Sequence, residues 1–174
     1  MNALVRRGVA ADIPLLQQIE CSAAQRFAQL PGLGWLADGE PYDADQHQRL
    51  MALGTHWVVE HQGQPVGFLA AERFGTDLHV WELDVALPHQ GRGRGRALLS
   101  AAQQYAAASG VQRLTLTTFR EVPWNAPFYR RFGFREWAAA EWPPRLQQVM
   151  ARERALGLTP EERCVMQCPV TPAE

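Results

Sequence analysis

The chain has 174 residues, 47% of them hydrophobic, and a formal net charge of −1. That length predicts one domain, residues 1–174, with a core of its own. The near-neutral charge sets up no global field toward nucleic acid or membrane surfaces. No apolar run reaches membrane-spanning length, and the first residues lack a signal-peptide core. Three cysteines, Cys21, Cys164 and Cys168, fit a reducing cytoplasm better than a disulfide scaffold. Cys164 and Cys168 could share a strand face, but no second ligand pair stands near them. Buried free thiols are therefore expected, and no metal.

Leu4 to Arg7 reads as a short first strand. Asp12 is placed to cap a helix with Pro14 in its first turn, and Leu15, Leu16, Ile19, Ala23 and Phe27 recur at helical spacing. Pro31–Gly34 breaks it. The segment from Trp35 to Pro41 is acidic and loop-like; Asp43 then caps a second helix to about Leu53, with Gly54 after it. His56–His61 and Pro65–Phe74 flank a Gln62–Gln64 turn as a hairpin. His56, Glu60 and His61 are expected to face solvent. A strand ending near Leu87 follows.

A helix from about Gly93 to Ser109 carries Leu98, Ala101, Ala102, Tyr105 and Ala108 on its apolar face and stops at Gly110. Arg113–Thr118 reads as a strand, Asn125–Phe132 as a short helix, and Phe134–Ala140 as a strand. Trp142–Pro144 breaks the chain before a helix over Arg145–Leu156 and a last strand over Cys164–Val170. The order is that of a mixed α/β layer fold.

The most telling stretch is Gln90–Gly91–Arg92–Gly93–Arg94–Gly95–Arg96, set between an apolar strand and an apolar helix. A glycine-rich turn that opens a helix presents free N–H groups and the positive end of the helix dipole, an arrangement suited to phosphate. Glycine also admits a ligand close to the main chain. The three arginines can add charge-assisted contacts. We read a pyrophosphate cradle here.

Gln90-x-x-Gly93-x-Gly95 resembles the Q/R-x-x-G-x-G/A signature of the GCN5-related N-acetyltransferase (GNAT) superfamily. Pro123-Trp-Asn-Ala-Pro-Phe-Tyr-Arg-Arg-Phe-Gly-Phe134 resembles the family's later motif, and the resemblance covers about residues 4 to 136. It implies a mostly antiparallel twisted sheet of six to seven strands with flanking helices. The fourth and fifth strands would splay to admit the pantetheine arm. It also implies acetyl-CoA as co-substrate and a primary amine as acceptor. Dimers are common in the family, so a homodimer is among the partners it implies. The arginine-only basic set leaves no lysine for self-acetylation.

By the same resemblance, Tyr129 matches the tyrosine beside the CoA sulfur and would protonate the leaving thiolate. Phe128, Phe132 and Phe134 read mainly as packing, with Phe128 also beside the cofactor. His79, eleven positions before Gln90, matches a position that holds a base or a base water. Glu82 competes with it, because strand alternation puts His79 and Glu82 on opposite faces. Backbone amides of Leu83, Asp84 and Val85 would bind pantetheine and the oxyanion.

Val122 stands where many members have asparagine. Asn125, only four before Tyr129, is read as a cap or a CoA contact. Trp35, Asp38, Glu40, Tyr42, Asp43 and Asp45 suit a cationic amine with an apolar body, or simply form a solvated acidic loop. The histidine offset and the tyrosine block are similar to the arylalkylamine branch, which points to small amines.

A dinucleotide-binding oxidoreductase needs G-x-G-x-x-G and an acidic residue ending the next strand, Leu114–Phe119, and neither is present. Nucleic-acid binding by a short Arg-Gly run lacks a basic footprint. A GNAT-fold sensor, or an enzyme acting on protein N-termini or side chains, stays open.

Overall fold

The structure is a computed structural model and describes residues 3–173. A seven-stranded sheet runs in the order β1-β2-β3-β4-β5-β7-β6. Its strands are β1 (Leu4–Arg7), β2 (His56–His61), β3 (Gln64–Phe74), β4 (Asp77–Val85), β5 (Arg113–Phe119), β6 (Arg135–Glu136) and β7 (Arg163–Pro169). The helices are α1 (Ile13–Ala24), α2 (Ala44–Ala52), α3 (Arg94–Ala108), α4 (Ala126–Phe132) and α5 (Pro144–Ala155). The mixed α/β, mostly antiparallel fold is as the sequence predicts. The β4–β5 pair is parallel, and its register runs from Asp77↔Arg113 to His79↔Thr115.

By contact density the chain divides into two compact units, 1–73 with 80–105, and 74–79 with 106–174. In the first, β1 pairs β2 from Leu4↔Glu60 to Arg7↔Trp57, and β2 pairs β3 with a shift between Val59 and Glu60. The hairpin turn uses Gln62 and Gly63, both at positive φ (52° and 76°), as a two-residue hairpin requires. Leu16 and Ile19 of α1 and Leu50 of α2 bury against Val58, Phe68 and Ala70. Gly67 of β3 is compulsory, because a Cβ there would lie 2.8 Å from the Asp84 carbonyl oxygen and 3.0 Å from methyl carbons of Val59 and Val85.

In the second unit β5 pairs β7 antiparallel from Arg113↔Pro169 to Phe119↔Arg163, and β6 pairs the other edge of β7. Trp137, Leu146 and Val165 form its core, with Trp142 and Met150 against them. Cys164 and Cys168 are buried and Cys21 is exposed, all as free thiols.

Several local expectations differ. His56 is 1% exposed rather than facing solvent, because its ring stacks parallel on Phe68. Asp12 precedes α1 without capping it; its carboxylate instead accepts from the Val9 N–H and from Arg6. Asn125 stands at the N-cap of α4, but its side chain makes no capping bond. The strand expected over Phe134–Ala140 shrinks to Arg135–Glu136, after which the chain turns into a 3-10 turn at Ala139–Glu141. On α3 the buried stripe is Leu98, Leu99, Ala102 and Ala106, one step from the expected one, and Ala108 is exposed. Asp43 caps α2 as expected, in a reciprocal pair with Gln46.

Candidate active site

The first unit carries the glycine turn. β4 ends at Val85, a 3-10 turn over Leu87–His89 follows, and α3 begins at Arg94. Gln90 donates from Nε2 to the Val85 carbonyl (2.8 Å), tying the turn to the end of the strand. Gly91 and Gly93 both adopt positive φ, 71° and 76°. No protein atom lies within 4 Å of where a Cβ would stand on either, so the space above the turn is open. The main chain, not a neighbouring side chain, demands glycine here.

Arg94 is 9% exposed and donates to the His89 carbonyl (3.1 Å). It braces the turn, while Arg92 and Arg96 are exposed. His89 is held below its ordinary pKa by burial and then by Arg94, His61 and Arg92. Cationic charge therefore gathers at the turn, and open amide-rich backbone with positive charge fits a diphosphate.

Beside it lies a carboxyl group cluster. Glu82 and Asp84 alternate onto one face of β4, and their carboxyls hydrogen-bond to each other. Two carboxyl oxygens can meet this way only by sharing a proton. Asp84 as a residue is half-buried, yet its Oδ2 is shut off from solvent and has no partner among the described residues. Burial, then the Glu20 charge, raise the Asp84 carboxyl to about 7 against the Glu82 hydrogen bond. Burial likewise raises Glu20, which accepts from the Tyr42 N–H at 3.0 Å.

Gln17 holds the Tyr42 carbonyl (2.9 Å), so α1 grips the segment leading into α2 from both sides of one residue. The Tyr42 phenol is pushed up by burial and by the charges of Glu82 and Glu20. Glu72 accepts from the Trp81 indole (2.9 Å) and pairs with Arg49 (2.7 Å). Of the predicted acceptor residues, Trp35 is 51% exposed, Asp43 is spent on capping α2, and Asp45 and Glu40 are solvated. Glu20 and Glu72 escaped the sequence reading.

In the second unit His79 is 1% exposed and its Nδ1 lies 2.9 Å from the Thr115 hydroxyl. Burial, then the Arg145 charge, lower its pKa to about 3. Arg145 in turn bridges to Asp77 (3.1 Å), and Asp77 also accepts from Arg113 (2.6 Å). His79 thus belongs to a buried polar network across β4, β5 and α5. Tyr129 is 8% exposed on α4, edge-on to Phe128 and Phe134 at 5.2 and 5.5 Å. The helix carrying it ends at Gly133 (φ 127°), which turns the chain into Phe134.

A strand, a glycine turn at positive φ and a helix opening on open cationic space suit a ligand that carries a diphosphate. Residues 52–136 match the family model described as acetyltransferase (GNAT) domain. That stretch, a little under half of the chain, carries an acetyltransferase domain of the GNAT family.

Among solved structures it is similar to Rv2747 from Mycobacterium tuberculosis in complex with CoA, with a TM-score of 0.68 and 20% identity over 96% of this chain and 99% of that one. It is similar to the ribosomal-protein-alanine N-acetyltransferase of Brucella melitensis, with a TM-score of 0.66 and 20% identity over 96% and 99%. It is also similar to N-acetylglutamate synthase from Neisseria gonorrhoeae complexed with coenzyme A and N-acetyl-glutamate, with a TM-score of 0.68 and 16% identity over 98% of this chain and 35% of that one. No helix among the described residues is long and apolar enough to cross a membrane.

Proposed function

We propose that the chain moves an acetyl group from acetyl-CoA directly to the primary amine of a small cationic molecule. The observation that carries the cofactor half is the Gly91–Gly93 turn at positive φ opening α3. Backbone amides there, with Arg92 and Arg96, hold the diphosphate, and Gln90 and Arg94 hold the turn. Amides of Leu83, Asp84 and Val85 receive the pantetheine arm and the carbonyl oxygen, and by the family resemblance Asn125 and Phe128 also contact the cofactor.

The acceptor half rests on the carboxyls of Glu20, Glu72, Glu82 and Asp84 around Tyr42 and Trp81. Carboxylates favour an ammonium group, and aromatic faces favour its apolar body. The Glu82–Asp84 pair takes the ammonium proton, since a shared proton near neutral pH suits a general base. The amine nitrogen then bonds to the acyl carbon as the carbon–sulfur bond breaks, and the nitrogen's second proton leaves to solvent as the amide forms. The Tyr129 hydroxyl gives its proton to the departing sulfur and is reprotonated from solvent. His79, buried against Thr115, supports β4 and β5. No cysteine stands in either motif to carry the acetyl group, which supports direct transfer.

The test is acetyl-CoA-dependent thiol release across a panel of small amines, amino acids and N-terminal peptides. Turnover confined to small cationic amines is expected. Turnover only on peptides would overturn the acceptor class, and CoA binding with no turnover on any acceptor would favour a sensor.

A further inference from the structure

Away from the glycine turn, two histidines meet in the core of the first unit. His47 of α2 is 0% exposed and His56 of β2 is 1% exposed. His47 Nδ1 and His56 Nε2 lie 3.1 Å apart, and both rings pack on Phe68, with centroids at 5.2 and 5.7 Å. Two neutral imidazoles make this contact by one ring donating its N–H to the other's lone pair. The remaining nitrogens, His47 Nε2 and His56 Nδ1, are shut off from solvent and have no partner among the described residues. Gly8 presses so closely that a Cβ on it would stand 2.4 Å from His56 Nδ1.

We propose that the His47–His56 pair is a proton-operated latch that fastens α2 to β2 while both rings are neutral and releases α2 when the pair takes up protons. One added proton can be shared across the 3.1 Å contact. A second makes both facing nitrogens donors and sets two cations against each other in an apolar surround.

Two carboxylates face the pair and favour its charged form, but burial outweighs them. Asp12, facing His56 from the turn before α1, is committed to both Arg6 guanidinium nitrogens and the Val9 N–H. Asp43, facing His47 from the α2 N-cap, is committed to the Gln46 N–H. Tyr42 meets His47 edge-on at 5.8 Å, with its phenol held neutral. Burial, then His47, lower His56 to about 4, and burial lowers His47, so the latch stays shut at neutral pH and opens as pH falls toward about 4. α2 begins two residues after Tyr42, so its release frees the segment that α1 grips through Glu20 and Gln17.

The test is nuclear magnetic resonance of the whole chain from pH 7.5 to 3.5. It reads the imidazole nitrogen shifts and the exchange of amide hydrogens, corrected for intrinsic chemistry. Both rings should stay neutral at pH 7.5 with opposite roles at the shared bond. As they charge, amides of 44–52 should exchange at least tenfold faster while those of β5 hold. His47→Gln keeps a hydrogen-bonding side chain that cannot become a cation, and it should abolish the pH dependence of α2 exchange. Rings that protonate near 6.5 with α2 unchanged would overturn the latch. So would α2 loosening that persists in His47→Gln, or exchange that rises equally in β5. The wild-type ring shifts decide the matter even if the variant does not fold.

Discussion

Replacing Asp84 by asparagine should make the protein more stable and less active, and pH should separate the two effects. The carboxyl is raised from 3.8 to about 7, first by burial and then by Glu20. Across that window the unfolded chain has released this proton and the folded chain has kept it. Stability therefore falls as pH rises from 3.8 to about 7, and the penalty is complete above it. Three pH units at about 1.4 kcal/mol each amount to about 4 kcal/mol. Asparagine has the same shape, cannot ionise, and can donate to Glu82.

For a chain of this length each kcal/mol is worth roughly 2–4 °C in melting temperature. Thermal melts at pH 8 should therefore place Asp84→Asn above wild type by roughly 8–16 °C, and melts near pH 4 should nearly coincide. In wild type, kcat/KM should rise as pH passes through about 7 and the pair loses its shared proton. In the variant that limb should move or vanish. A variant that tracks wild type in stability at both pH values would refute the shared-proton reasoning.

Tyr129→Phe should lower kcat by about 10²-fold or more with CoA affinity kept, the range for losing a positioned acid; unchanged turnover in steady-state assays would remove it from catalysis. His79→Ala should cost stability by about 1–3 kcal/mol, through the lost hydrogen bond to Thr115 and a cavity beside it, while the pH profile of turnover keeps its shape. A profile that loses a limb in that variant would instead make His79 the base. Gly67→Ala should cost about 1–3 kcal/mol, because its Cβ meets the rigid Asp84 carbonyl rather than a mobile side chain. Denaturant titration checks this, and a wild-type midpoint would contradict the clash.

Where local chemistry decides structure, the sequence was legible. β1 and β2 match their predicted bounds because alternation and turn residues frame them. α2 starts at Asp43 because aspartate and Gln46 form a reciprocal cap. The glycine turn was readable because positive φ has few other solutions. Tertiary partners were not readable. His56 looks like an exposed strand residue until α2 and Phe68 close over it.

Asp12 looks like a helix cap until Arg6 claims its carboxylate. Glu20 sits next to Ile19 on a helix of ordinary amphipathicity, and its partner Tyr42 comes from a loop 22 positions on. The Asp84 side chain was overlooked because the resemblance drew attention to its backbone amide. His79 fits a base by offset alone; its burial comes from β5 and α5, which no local pattern places beside it.

Cofactor binding depends on the turn at the mouth of α3. Calorimetric titration of CoA into wild type and into Gly93→Val is the most direct test, because valine both strains the positive φ and fills the open space above the backbone. Wild type should bind, and the variant should bind at least tenfold more weakly with its melting temperature close to wild type. Equal affinity in the two proteins would contradict the cradle.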